Sequence, residues 1–169
     1  MTYRDKDYKE ARMVSIQAHG NQTYDSIFPY HKHLDDVVDV IKRFGFSGKF
    51  IIAGVLHDII EDTSLSYNKV KKYFGIDVAE MVYCVTDELG RDRNEKHLKT
   101  LPKIASNPSA IIIKLADRIA NIEHGGKVEM YSQEYGEFRR SLFANTPTDG
   151  KRMWDHLDVL LKKDLRSSN

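Results

Sequence analysis

Apolar residues recur along the chain at spacings of three and four, and alternation by two is sustained nowhere, so the pattern predicts helices throughout. A first helix is expected over about residues 8–19, ending near Gly20 and followed by a polar loop, Asn21-Gln22-Thr23-Tyr24-Asp25-Ser26, that runs to Pro29. Val37, Val38, Val40, Ile41 and Phe44 give the face of a short second helix that stops near Gly45. Ser47 is a candidate cap for the next, whose face of Phe50, Ile51, Ile52, Val55, Leu56 and Ile59 is almost continuously apolar, as in a central buried helix. Asp77 with Glu80 reads as a capping-box start for a helix reaching Leu89. Asn107-Pro108 joins a cap to a first-turn proline and opens a second buried helix carrying Ile111, Ile112, Leu115, Ala116, Ile119 and Ile122. Gly125-Gly126 ends it, and two amphipathic helices are expected over about residues 127–143 and 148–163, either side of a turn at 145–150. The expected fold class is all-α.

Composition narrows the picture. With 169 residues, scattered prolines and glycines and no repeat or linker, residues 1–169 are expected to form one domain with a core of its own. Hydrophobic residues make up 41% and charged residues 30%, a globular balance. The 26 Lys and Arg against 25 Asp and Glu leave a net charge of +1, so no global field draws a polyanion, and neither a nucleic-acid nor a membrane partner is expected. The basic stretch Arg91, Arg93, Lys96, Lys99 and Lys103 reads as a solvated helix face. Cys84 is the only cysteine, which excludes an intramolecular disulfide and a cysteine-based zinc site and fits a reducing compartment. The N-terminus, Met1 to Asp7, lacks an apolar signal region, and no apolar run approaches the roughly 18 residues of a membrane span, so the cytoplasm is the expected location.

Ionisable groups inside the two most apolar helices are the feature that points to chemistry, because burying them is costly unless a metal or a strong partner compensates. In Val55-Leu56-His57-Asp58-Ile59-Ile60-Glu61-Asp62, His57 pairs with Glu61 and Asp58 with Asp62 at helical i, i+4 spacing. In Lys114-Leu115-Ala116-Asp117-Arg118-Ile119-Ala120-Asn121, Asp117 and Asn121 repeat that spacing, with Lys114 one turn earlier. Each motif alone has a plain alternative: a satisfied polar pair at His57-Asp58, solvated carboxylates at Asp58 and Asp62, or an exposed edge at Lys114 and Arg118. Together they describe a site. Imidazole and carboxylate without thiolate suits Mn, Fe, Co, Ni or Zn, and such an ion polarises a phosphoryl oxygen and acidifies its water. Glu61 and Asp62 are then candidates for proton transfer, and Lys114, Arg118 and Asn121 for stabilising phosphate charge. His31 and His33, close before the second helix, are both candidates to complete the ligand set.

These residues resemble the HD-domain phosphohydrolases, and within them the hydrolase domain of RelA/SpoT homologues and the small stand-alone alarmone hydrolases. Four segments between about Ala11 and Glu123 carry the resemblance: Ala18-His19 with Pro29-Tyr30-His31-Lys32-His33; Ala53 to Thr63 around His57-Asp58; Val85-Thr86-Asp87; and Lys114 to Ile122. The resemblance implies an all-α bundle and a divalent metal, usually manganese, on His33, His57, Asp58 and Asp117, with His31 a non-ligand neighbour. It also implies a catalytic Glu61-Asp62 pair and a nucleotide contact from Asn121. The implied reaction is metal-assisted release of pyrophosphate from the 3′ position of guanosine tetra- or pentaphosphate.

Two positions depart from the family. An Arg-Lys pair that contacts the nucleotide is replaced here by Tyr24 and Asp25, which should weaken binding of a highly phosphorylated substrate, although Tyr24 is a candidate to stack on a base. Leu34 stands where a proline follows the ligand histidine. The departures keep a second reading open, an HD-type nucleotidase or phosphatase for a dNTP, a nucleoside monophosphate or NADPH. A binding module without catalysis is a third. The length leaves no room for synthetase or regulatory domains, so a stand-alone hydrolase is the expected form.

Overall fold

The computed structural model describes residues 5–167, so the first four positions of the N-terminal stretch read for a signal region, and the last two of the chain, lie outside the described residues. The three-and-four rhythm resolves into α1 (Asp5–His19), α2 (His31–Arg43), α3 (Lys49–Leu56), α4 (Ile59–Asp62), α5 (Tyr67–Phe74), α6 (Ile76–Val85), α7 (Arg93–Ala105), α8 (Pro108–Glu123), α9 (Val128–Leu142) and α10 (Lys151–Ser167). Among the described residues the only strands are β1 (Thr23–Tyr24) and β2 (Phe28–Pro29), paired antiparallel with Tyr24 opposite Phe28. The fold class is all-α, as the periodicity predicts. No helix among the described residues is long and apolar enough to cross a membrane.

Helix α8 is the axle. Ile111, Ile112, Ile113, Leu115, Ala116 and Ile119 on it are completely buried, and it packs against α2, α3, α6, α7, α9 and α10. Asn107 caps its start, its Oδ1 accepting from the Ser109 and Ala110 N–H groups. Helix α3 crosses α2 closely at Gly54, where a Cβ would lie 2.4 Å from Ile41 Cδ1. One hydrophobic core runs from Ala11 on α1 to Leu161 on α10.

Several boundaries differ from the sequence expectation, each for a local reason. Helix α2 begins at His31, so His31 and His33 lie in its first turn and not before it. Polar residues hide that turn from the apolar pattern, but Leu34 is fully buried and Asp35 and Asp36 are ion-paired to Arg12 and Lys32. Ser47 does not cap α3; Gly48, at φ 59°, holds the position before Lys49 with no side-chain cap. The apolar stretch 50–59 is not one helix, because α3 stops at Leu56 and a turn at His57-Asp58, with Asp58 at φ −96° and ψ 0°, leads into α4. Asp77 and Glu80 form no capping box: α6 starts at Ile76 after Gly75, and the Glu80 carboxylate accepts from the Tyr67 hydroxyl, tying α5 to α6. That helix ends at Val85, short of Leu89, where Thr86 turns extended and its Oγ1 donates to the Val82 carbonyl. Helix α5 lies outside the elements the pattern predicts; it buries only Val70 and Phe74. Helix α10 starts at Lys151 because Thr148–Gly150 tightens into a 3₁₀ turn.

Candidate active site

His33 from the first turn of α2, His57 and Asp58 from the α3–α4 turn, and Asp117 from the middle of α8 converge on one point. His57 Nδ1 lies 2.8 Å from the Gly54 carbonyl, which can only accept, so Nδ1 carries a proton and Nε2 is the nitrogen that points inward. That Nε2 lies 2.9 Å from Asp58 Oδ2, 3.3 Å from His33 Nε2 and 3.7 Å from Asp117 Oδ1. His33 Nε2 in turn lies 3.3 Å from Asp117 Oδ1 and 3.8 Å from Asp58 Oδ2. Donors about 2.0–2.2 Å from a cation stand roughly 3.0–3.5 Å from one another, so the set has the spacing of a coordination shell. His33, His57 and Asp58 by themselves group as a possible metal-binding trio.

Electrostatics agree with this fit. Burial alone pulls the His57 imidazolium down, but the charge and hydrogen bonding of Asp58, and then Asp117, outweigh it and lift the group to about 9. Burial raises Asp58 and Asp117, yet His57 on the first and Lys114 on the second hold both well below the usual carboxylate range. The cluster favours positive charge at its centre, and a cation held there would take the place of the proton on His57 Nε2. Among the described residues the buried His33 Nδ1 finds no hydrogen-bond partner; its ring stacks on Tyr24, centroids 4.9 Å apart.

The cluster opens into a cleft of about 320 Å³. Glu61 and Asp62 line it, as do Lys114, Arg93, Lys127, Asp87, Tyr30 and Tyr131. Glu61 Oε2 accepts the Asp87 N–H at 2.9 Å, and loss of water around the carboxyl, with the nearby Asp87 and Asp58 charges, raises its pKa. Asp62 is raised by partial burial and by Asp58, while its Oδ2 lies 3.1 Å from the Tyr30 hydroxyl. Lys114 Nζ stands 3.5 Å from Asp117 Oδ2.

Other residues named from sequence sit differently. Tyr24 lines the cleft but is only 5% exposed, packed against His33 and His124 with its hydroxyl donating to Asn121 Oδ1 at 2.9 Å, which leaves little of its ring to stack on a base. Asn121 lies beneath the cleft and holds Asp117, its Nδ2 donating to Asp117 Oδ1 at 2.7 Å. Asp25 does line the cleft and pairs with His124 at 3.0 Å.

Arg118 departs furthest from expectation. It is fully buried away from the cleft, its Nη2 donating to Glu134 Oε2 at 2.6 Å and its guanidinium 3.6 Å from the Phe138 ring centroid. Glu134 also accepts from Arg93 Nε at 2.8 Å. Glu134→Ala therefore leaves a buried guanidinium unpaired and is expected to destabilise the fold by about 3–5 kcal/mol in denaturant unfolding. His97, beside this pair, is lowered to about 4, first by burial, with Arg118 opposing its protonation while Glu134 favours it. The unfolded chain then binds one more proton than the folded chain between about pH 4 and 6.5, so stability rises with pH across that window. His97→Gln is expected to flatten the slope of urea midpoints measured over that range.

Arg93, Lys127 and Tyr30 reach the cleft without having been singled out for it. Arg93 belonged to the basic stretch and Tyr30 to the segment around His33, but their placement depends on tertiary packing. The stretch itself is charge-paired on α7: Lys99 with Glu95, Lys103 with Glu88, and Arg93 with Asp87 as well as Glu134.

The HD domain family matches residues 11–145, and the chain belongs to it. The chain is 33% identical over 123 residues to a guanosine-3′,5′-bis(diphosphate) 3′-pyrophosphohydrolase of Aquifex aeolicus (strain VF5), a match covering 70% of this chain and 18% of that protein. It is 33% identical over 130 residues to the bifunctional (p)ppGpp synthase/hydrolase SpoT of Escherichia coli (strain K12), covering 73% of this chain and 18% of that one. The chain thus spans less than a fifth of these relatives. In fold it is similar to a metazoan ortholog of SpoT that hydrolyses ppGpp and plays a role in starvation responses, with a TM-score of 0.71, 23% identity, and coverage of 97% of this chain and 98% of that one. It is also similar to a protein of Listeria monocytogenes EGD-e, with a TM-score of 0.63, 20% identity, and coverage of 82% and 96%.

Proposed function

We propose that this chain is a divalent-metal-dependent phosphohydrolase that removes pyrophosphate from the 3′ position of guanosine tetra- or pentaphosphate. The observation that carries the reading is the convergence of His33, His57, Asp58 and Asp117 at the base of a cleft whose walls bear both acids, Glu61 and Asp62, and cations, Arg93, Lys114 and Lys127. His33, His57, Asp58 and Asp117 hold the ion, for which manganese suits the imidazole and carboxylate donors, and the lone cysteine is in keeping with a cytoplasmic setting. When bound, the ion supplies charge stabilisation at the phosphoryl oxygens and a more acidic water. Water attacks the 3′ α-phosphorus, the bond from phosphorus to the 3′ oxygen breaks so that pyrophosphate departs, and the 3′ oxygen takes a proton from solvent, balancing the one the attacking water gives up. Glu61 accepts the proton of the attacking water, and Asp62 orients it. Lys114, Arg93 and Lys127 bind the phosphate chain, where point charges and a guanidinium fork both suit phosphate oxygens. Asn121 acts by holding Asp117, and Tyr24 by holding His33.

One observation favours a second reading. Asp25, in place of a family cation, brings a carboxylate to the cleft lining, with His124 as its partner at 3.0 Å. That supports a nucleotide with fewer phosphates near this rim, such as a nucleoside monophosphate, a dNTP or NADPH. Manganese-loaded protein should be offered guanosine tetraphosphate beside these nucleotides, with pyrophosphate and phosphate release measured separately. Pyrophosphate from guanosine tetraphosphate alone is the expected result. Preference for another nucleotide transfers the same chemistry to the second reading, and no turnover of any of them overturns both.

A further inference from the structure

We infer that Tyr30 is a positioning residue whose single hydroxyl sets both Asp58 and Asp62, and that His19 and Gln22 hold it there. Tyr30 Oη lies 2.7 Å from Asp58 Oδ2 and 3.1 Å from Asp62 Oδ2. The Asp58 oxygen it touches is the one 2.9 Å from His57 Nε2, the oxygen turned toward the candidate metal point. A phenolic hydroxyl has one proton to donate, so Asp58 Oδ2 and Asp62 Oδ2 share it, the shorter contact going to Asp58, and the position of one carboxylate constrains that of the other.

The need for such a tie is local. Helix α4 is a single turn, Ile59–Asp62, and the chain turns extended at Thr63, so Asp62 ends a helix with no following turn to fix it. The support comes from elsewhere. The Tyr30 ring stacks on buried His19, centroids 4.5 Å apart and planes 20° apart. His19 Nδ1 lies 2.9 Å from Gln22 Oε1, an oxygen that only accepts, so the imidazole donates. Gln22 Nε2 then donates to the Asp62 carbonyl oxygen at 2.8 Å, and the Tyr30 N–H donates to the Gln22 carbonyl at 3.0 Å. Asp62 is therefore gripped twice, at its carboxylate by Tyr30 and at its backbone by Gln22, and the two grips meet in the His19–Tyr30 stack.

The Asp62 half rests on the proposed reading of the cleft, whereas the Asp58 half concerns metal affinity and needs no substrate. Tyr30→Phe keeps the stack and removes only the hydroxyl. We expect it to weaken Mn²⁺ binding by about 10–100-fold in calorimetric titration, the usual cost of losing an outer hydrogen bond to a metal ligand. At saturating Mn²⁺, kcat on whichever nucleotide the wild type hydrolyses fastest should still fall about 10-fold, with KM within twofold. Gln22→Ala removes the side-chain bonds to the Asp62 backbone and to His19 but keeps the Gln22 carbonyl that accepts from the Tyr30 N–H and the hydroxyl contact to Asp58; it should lower kcat several-fold while leaving Mn²⁺ affinity within twofold, a split that general loosening of the fold would not produce. If Tyr30→Phe binds Mn²⁺ within twofold of wild type, the inference is overturned. If it binds Mn²⁺ weakly but turns over normally once saturated, the shared-hydroxyl claim is overturned. If wild type hydrolyses no nucleotide, the proposed function fails, and the Mn²⁺ titration alone decides the role of Tyr30.

Discussion

His57→Ala is expected to lose bound divalent metal and turnover together, while His31→Ala keeps both. The two histidines separate cleanly in the structure. His57 is 2% exposed, tethered through Nδ1 to Gly54, and its Nε2 meets Asp58, His33 and Asp117 within 3.7 Å. His31, two residues before His33 on the same turn of α2, has no part in that cluster. Removing a direct ligand costs more than the roughly 10–100-fold attached to its outer hydrogen-bond partners, and here it also leaves two carboxylates facing each other with one imidazole between them. Metal content after gel filtration and a Mn²⁺ titration measure the first half, and nucleotide hydrolysis the second. Asp58→Ala should behave like His57→Ala. If His57→Ala retained metal at wild-type affinity, His33, Asp58 and Asp117 alone would hold the ion, and the four-ligand reading would fail.

How much of this was legible depends on how far each feature is set by neighbours in sequence. Helix α8 was readable because every determinant is local: the Asn107-Pro108 start, the apolar period, and the polar stripe of Lys114, Asp117 and Asn121 at spacings of three and four. That stripe survives in three dimensions, with Asn121 bonding to Asp117 and Lys114 standing beside it. The same spacing does not extend to Arg118. A step of one residue turns a helix by about 100°, so Arg118 faces Glu134 and Phe138 while Asp117 faces the cleft. The turn at His57-Asp58 was invisible because apolar residues continue on both sides of it, and periodicity cannot register a break that hydrophobicity spans. The cations Arg93 and Lys127 come from α7 and from the start of α9, and only packing brings them to the cleft that α8 lines. For Tyr24 the sequence offers a base-stacking ring and gives no warning that this ring packs against His33 and His124.

Glu61→Gln is expected to keep its metal and lose turnover by about 10²–10⁴-fold, the range associated with removing a positioned proton acceptor. Glutamine has the same length and retains an oxygen able to accept the Asp87 N–H, so the 2.9 Å contact that sets the side chain at the cleft can persist. What it lacks is a site for a proton at neutral pH. Partial loss of water and the Asp87 and Asp58 charges raise the Glu61 pKa, which moves a carboxylate toward the working range of a general base. Below that pKa the group is protonated and cannot accept, so wild-type kcat/KM should fall on an acid limb lying above the ordinary glutamate value, and the variant should lack that limb. In the proposed reading Lys114, Arg93 and Lys127, not Glu61, bind the phosphate chain, so KM should stay within a few-fold and the loss should appear in kcat. Asp62→Asn is the companion measurement. Full activity in Glu61→Gln with a large loss in Asp62→Asn would give the proton-accepting role to Asp62, and with it would make the Tyr30 hydroxyl, 3.1 Å from that carboxylate, the nearest group able to tune the base.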